Sequence, residues 1–256
     1  MLRRIYNKLQ HIKAILLDKY KDYLFNKYKK NAVSSFNTSI FKDKRVVVIG
    51  GADSAFKEKL GTVIDSFDVV VRVNKGVEVV DQFSDFIGKR TDVLFHCFFE
   101  DVAQGGSPIT PELWKKHHVK LLLMSHNSAC SNYAYRNFYN FLFKTKGKVP
   151  FVQVSKEQHH ANFEALHGVA PTTGFIAIKT ILDSLPKELY ITGITFFKTA
   201  HQQEYRKGTV EDYKTMFTKS SSHNPEFEYA YVKEQYLKFP NCVKPDPILS
   251  DIFHNN

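Results

Sequence analysis

Residues 45–74 read RVVVIGGADSAFKEKLGTVIDSFDVVVRVN. The run Arg45-Val-Val-Val-Ile is almost wholly β-branched and ends in Gly50-Gly51, and a second apolar run, residues 67–73, ends in Asn74. Short apolar runs without polar alternation are strands covered on both faces, the pattern of a parallel sheet. A glycine pair directly after such a strand marks a loop where another backbone or a ligand comes close. Working outward, the sequence predicts further strands at 92–95, 120–125, 151–154 and 188–192. It predicts helices at 54–62, 110–117, 129–145, 156–167 and 174–185. Strands alternating with helices give an α/β fold, Rossmann-like, with a mainly parallel sheet. Ligands of such sheets bind at the carboxyl ends of the strands, near the topological switch point, so Gly50, Gly51 and Asn74 are candidate ligand-facing residues.

The glycine spacing matches neither a dinucleotide fingerprint nor a P-loop, and no GxSxG elbow occurs. No Asp-x-Asp pair occurs either, so phosphate at this site has to be met by helix N-termini, hydroxyls and histidine. No metal or cofactor is expected. Three cysteines, Cys97, Cys130 and Cys242, form neither a disulfide framework nor a zinc pattern, which points to a reducing, cytosolic setting. The pairs His117-His118 and His159-His160 lack ligand spacing and are expected on the surface. At 256 residues with 43% hydrophobic and 24% charged side chains, the composition is that of a globular chain, not a disordered one.

The net charge of +10 is lopsided. Residues 1–44 hold eleven Lys/Arg against Asp18, Asp22 and Asp43, a net of +8, while the other 212 residues carry 25 basic and 23 acidic side chains. Two units are expected: a basic leader, 1–44, and one body domain, 45–256. In the leader, Leu2, Ile5, Leu9, Ile12, Leu16, Tyr20 and Leu24 recur at helical spacing, with Arg4, Lys8, Lys19, Lys27, Lys29 and Lys30 around them. Such a basic amphipathic helix suits an anionic membrane surface, each Lys or Arg near the lipid contributing about 1 kcal/mol. The alternative is a helix docked on the protein's own body. Residues 31–44 read as a polar connector. No run of apolar residues is long enough to span a bilayer, and no nucleic-acid-binding pattern occurs.

Residues 45–91 resemble the large sialylmotif of the eukaryote-type sialyltransferases, glycosyltransferase family 29. They carry an apolar strand, a glycine turn, Gly61, Ile64-Asp65-Ser66-x-Asp68-x-Val70-x-Arg72-x-Asn74, and a closing Gly88-x-Arg90-Thr91. Pro171-Thr172-Thr173-Gly174, followed by an apolar helix and Glu188-Leu-Tyr-Ile-Thr-Gly193, resembles the small motif. His223-Asn-Pro-Glu-Phe-Glu228 fits the very short His-x4-Glu motif. Three motifs in order cover most of residues 45–230. The chain departs from the pattern at Gly51, where the family usually has a phosphate-contacting Asn. It departs again at Val46, where secretory enzymes have a disulfide cysteine, which weakens a Golgi location. A His/Tyr-rich motif is only loosely kept, in His201-Gln-Gln-Glu-Tyr205. Gly193-Ile194-Thr195-Phe196 is also similar to bacterial sialyltransferases of a related fold.

The resemblance implies a GT-A-variant fold. It also implies inverting, metal-independent transfer of sialic acid or a related ulosonic acid such as Kdo. The donor is a CMP-activated sugar, and the acceptor a glycan or glycolipid, lipopolysaccharide included. Inversion needs one general base on the acceptor hydroxyl, and a histidine near neutral pKa suits that task. His223 is the candidate base, with Glu228 beside it as a catalytic or orienting group. Thr172, Thr173 and Gly174, at a predicted helix N-terminus with Thr as cap, are candidates for the donor's carboxylate or phosphate. Asn74 is placed against the cytidine, and His201 and Tyr205 against the leaving phosphate. Asp65 and Asp68 are expected to fix loop and helix ends, and Arg90 to anchor a tight turn at 88–91 near the site. Two other classes remain open: a CMP-sugar-binding, membrane-associated module without activity, and a different nucleotide-binding α/β enzyme.

Overall fold

The computed structural model describes residues 2–102, 106–219 and 223–255, apart from the side chains of 2–9, 35, 218 and 219. The chain opens with helix α1 (Leu2–Ala32) and strand β1 (Val33–Ser35), then β2 (Arg45–Ile49), the short α2 (Gly61–Asp65), β3 (Val69–Val73) and α3 (Val80–Ile87). There follow β4 (Val93–His96), α4 (Pro111–Lys116), β5 (Leu121–Met124), α5 (Asn132–Thr145), β6 (Phe151–Gln153), α6 (Lys156–Glu164) and α7 (Thr173–Asp183). The chain ends with β7 (Glu188–Thr192), α8 (Val210–Lys219), α9 (Pro225–Lys238), β8 (Val243–Pro245) and α10 (Pro247–Asn255). The strands form one sheet in the order β1-β6-β5-β4-β3-β2-β7-β8, every pairing parallel. The chain therefore builds away from β2 as far as β6 and then returns to place β7 on the other side of β2. The gap between β2 and β7 is the switch point.

Both faces of the central strands are covered, as their unbroken apolar runs require. Val46, Val48, Val71, Val73 and Phe95 pack with α7, whose Phe175, Ile176, Ala177, Ile178 and Ile181 are all fully buried. On the opposite face, Val47, Ile49 and Val70 meet Ile64, Val80 and Ile87 of α2 and α3.

The polar residues of the 45–91 stretch that match the large motif brace the amino ends of these strands. Asp65 accepts from the amides of Lys89 and Arg90, and Asp68 from that of Arg45. Arg90 donates to the carbonyls of Asp65 and Phe67 and to Asp92. Gly88 has φ +72°, and a Cβ there would lie 2.5 Å from the Asp65 carboxylate. Arg72, fully buried, donates to the carbonyls of Ile87 and Gly88 and to the Thr91 hydroxyl. The turn at 88–91 precedes β4, so it lies at the end of the sheet opposite the switch-point crevice, not near the site as expected.

Other expectations need correction. The helix expected at 54–62 is a 3-10 turn (Asp53–Phe56) and then α2. A Cβ at Gly61 would lie 2.1 Å from the Ser84 carbonyl, so the chain there is shaped by α3, an element the sequence did not announce. The polar connector holds β1, which pairs with β6 at the sheet edge. His159 is buried rather than exposed, its Nδ1 accepting from the Asn127 amide.

The leader is helical and divided in its packing. Phe25 stacks against Tyr139 and meets Phe138 edge-on, and Tyr28 meets Phe143, so the end of α1 is docked on α5. Upstream, Ile12, Leu16 and Tyr20 of the anticipated stripe are exposed, Leu16 by 62% and Tyr20 by 58%. The side chains of Leu2, Arg4, Ile5, Lys8 and Leu9 lie outside the described residues. No helix among the described residues is long and apolar enough to cross a membrane.

Candidate active site

A cavity of about 550 Å³ opens at the switch point, within the ~300–1,000 Å³ range of small-molecule sites. Five strands deliver a residue to it just past their carboxyl ends: Gly50 after β2, Asn74 after β3, Cys97 after β4, His126 after β5 and Gly193 after β7. Its floor is backbone against backbone. A Cβ on Gly50 would lie 2.2 Å from the Gly193 carbonyl oxygen, and one on Gly193, at φ +68°, 2.6 Å from that of Gly50. Gly51 is held for a different reason. The Tyr205 ring occupies the space a side chain would need, at 2.2 Å from an ideal Cβ.

That placement settles what Tyr205 can offer. The ring is buried and its hydroxyl donates to the Val73 carbonyl at 3.1 Å, so this residue reaches the cavity as a wall. His201 is packed beside it, its ring stacked on Tyr205 and edge-on to Tyr213, and burial pushes its pKa down to about 3. The imidazole is neutral at physiological pH and brings no positive charge to a phosphate. Asn74 has φ +46°, and its side-chain oxygen accepts from the Cys97 amide at 3.1 Å. What it has left for a ligand is its NH2 group, a pair of donors.

The amino end of α7 faces the same space. Thr172 is its cap, the hydroxyl accepting from the Phe175 amide. The Thr172 amide and hydroxyl both donate to Glu228 on α9, at 2.6 and 2.8 Å. Thr172 is thus tied to protein, and the first-turn amides of Thr173 and Gly174 are those that α7 presents. A Cβ at Gly174 would meet protein only at an ordinary 3.6 Å, so packing does not demand glycine there as it does at 50, 51 and 193. Glu228 is buried, and that burial pushes its pKa up to about 7 against the pull of both Thr172 bonds. Its geometry makes it a positioning residue, clamping α9 to the start of α7.

His223 stands just before α9 and its Nδ1 lies 2.7 Å from the Ala170 carbonyl. A carbonyl only accepts, so Nδ1 carries the proton and Nε2 the basic lone pair. Burial lowers its pKa, the Ala170 bond opposes this, and the positive charge of Arg206 adds to the lowering. Among the candidates, Gly50, Gly51, Asn74, Thr172, Thr173, Gly174, His201, Tyr205, His223 and Glu228 all line this one cavity. The sequence reading missed Arg206 and His126, which line it too. The adjacency of Arg206 to Tyr205 was the only hint. Among the described residues, no group of three or more His, Cys, Asp or Glu is placed to hold a metal ion.

Residues 5–131 match the model of glycosyltransferase family 29 (sialyltransferase). Over this stretch, just under half of its length, the chain is similar to the sialyltransferase family. The match supports a CMP-sugar-dependent glycosyltransferase. None of the curated proteins matches it. Solved structures share its fold. A mammalian sialyltransferase aligns at TM-score 0.55 and 16% identity over 88% of this chain and 78% of its own. The same comparison with a mammalian sialyltransferase in complex with Gal-beta-1-3GalNAc-ortho-nitrophenol gives 0.52, at 16% identity and the same coverage. The α-2,3-sialyltransferase Cst-I of Campylobacter jejuni aligns at 0.52 and 15% identity, over 83% of this chain and 78% of its own.

Proposed function

We propose that this sialyltransferase-family chain moves sialic acid, or a related ulosonic acid such as Kdo, from its CMP donor to a hydroxyl of a glycan or glycolipid, with inversion and without a metal ion. The observation that carries this reading is His223, fixed by the Ala170 carbonyl in the tautomer that aims basicity at Nε2, on the cavity into which α7 presents its amino end. As the acceptor oxygen bonds to the anomeric carbon, its proton passes to Nε2. The carbon–oxygen bond to phosphate breaks, its electron pair leaving on CMP. Asn74 and the amides of Thr173 and Gly174 supply donors for the nucleotide and the acidic groups of the donor. A sialyltransferase of this fold solved with a disaccharide glycoside supports a glycan acceptor.

The test is CMP release from a panel of CMP-sugars. CMP is expected from an ulosonic-acid donor, at a rate unchanged by EDTA. Loss of turnover on chelation, with rescue by magnesium or manganese, would overturn the metal-free reading. CMP binding with no release from any donor would leave a binding module instead.

The leader extends the proposal. Exposed Ile12, Leu16 and Tyr20 with Lys13, Lys19 and Lys21 among them suit an anionic bilayer surface, and α1 is held to the body farther along, at Phe25 and Tyr28. We place the enzyme at the cytosolic face, a reading that three unpaired thiols support. Removing residues 1–20 leaves Phe25 and Tyr28 in place. The truncated protein is expected to lose binding to anionic vesicles while keeping transfer to a soluble acceptor, and high salt should release the full-length protein. Equal vesicle binding by both forms would refute it.

A further inference from the structure

We propose that Arg206 is the cationic partner of the donor's phosphate and of the CMP that departs, an inference that rests on the CMP-sugar reading above. A CMP-sugar brings a phosphate anion to the cavity, and breaking the glycosidic bond adds a second negative charge as the electron pair settles on the phosphate oxygen. Among the described residues lining the cavity, Arg206 is the only lysine or arginine. The two groups that the sequence set against this charge do not carry it. His201 is neutral, and the Tyr205 hydroxyl is given to Val73. Gly51, with the Tyr205 ring against it, has no side chain to offer.

The backbone that carries Arg206 is fixed rather than loose. Its amide donates to the Gln202 carbonyl, the Gln202 amide donates to the Gly51 carbonyl, and Lys75 donates to the Tyr205 carbonyl. The guanidinium is close enough to influence His223, His201 and Tyr205 electrostatically. One mechanical chain follows. The Tyr205 ring fills the Gly51 gap, that packing anchors the turn, and the next residue brings in the charge. A guanidinium can meet two phosphate oxygens at once, which suits a leaving monoester.

The experiment is calorimetric titration of the full-length protein with CMP and with cytidine, which differ only by the phosphate. Wild type is expected to bind CMP more tightly. In Arg206→Gln, CMP affinity is expected to fall about 10–100-fold, the scale of a charge-assisted hydrogen bond, with cytidine affinity within about twofold; Arg206→Lys should recover part of the loss. A pH profile supplies a second readout. His223 is faced by the Ala170 carbonyl, by His126 and by Arg206, and of these only Arg206 is a standing charge. Removing that charge lets the His223 pKa rise, so the acid limb of kcat/KM moves to higher pH in Arg206→Gln. An unchanged CMP-to-cytidine ratio overturns the proposal and leaves the donor reading standing. So does an equal loss of both ligands, which would mean a structural role. Wild type that binds CMP no better than cytidine takes down both.

Discussion

Replacing His223 with alanine is expected to lower turnover by about 10²–10⁴-fold, the range for loss of a general base, with CMP affinity held within about twofold. The asymmetry follows from the geometry. His223 hangs from the Ala170 carbonyl at 2.7 Å, in the loop that leads into Thr172 and α7. The base and the donor-facing helix end are therefore positioned by one segment, yet the imidazole contributes no amide or charge to the nucleotide. The pH profile carries the same signature. A base must be neutral to accept a proton, and burial with the charge of Arg206 holds the His223 pKa below its ordinary 6.5. Wild-type kcat/KM should thus stay level as pH falls through about 6.5 and decline only below it. Measured at saturating donor and acceptor, near-native turnover by His223→Ala would remove it from the mechanism. An acid limb above 6.5 would contradict the electrostatics.

The second large effect is on stability. Arg72→Met is expected to cost about 3–5 kcal/mol, because it strips the donors from a buried network without replacing them. Arg72 has no exposed surface, and its two hydrogen bonds from one nitrogen hold the Ile87 and Gly88 carbonyls while its Nε holds Thr91. Burial pulls its pKa down only to about 10, so the group is charged at neutral pH and those acceptors lie against a cation. Methionine fills most of the volume and donates nothing. Urea unfolding followed by far-UV circular dichroism reads the difference. A loss below about 1 kcal/mol would show that the acceptors find other donors.

Much of the fold was legible because its central strands are buried on both faces. Val46, Val47, Val48 and Ile49 leave no ambiguity of period, and α7 carries the unbroken apolar run Phe175–Ile178 with Ile181. The misreadings are local sequences governed by distant neighbours. Residues 54–62 have helical composition, but Gly61 is pressed to the Ser84 carbonyl and the helix is cut to α2. Val33–Ser35 is three residues long and gains its identity only by pairing with β6. His159 has no partner in sequence and an Asn127 amide in space. The cavity divides in the same way. Gly50, Asn74 and Gly174 could be read from strand and helix ends. Arg206 could not, since its place depends on an aromatic ring lying over a glycine about 150 residues earlier.

One junction bears on how the enzyme meets its acceptors. Helix α1 ends at Ala32 and β1 begins at Val33, so no spacer separates the leader from the sheet. Aromatic packing against α5 closes the angle from the other side. A helix joined in this manner is an outrigger rather than a tether. On the membrane-surface reading proposed above, the body would glide along the surface without rolling, and the mouth of the cleft would keep one height and one bearing. On that reading, the length of glycan able to reach His223 would be graded by the protein's own frame. Glycines inserted between Ala32 and Val33 would turn that fixed gauge into a swivel.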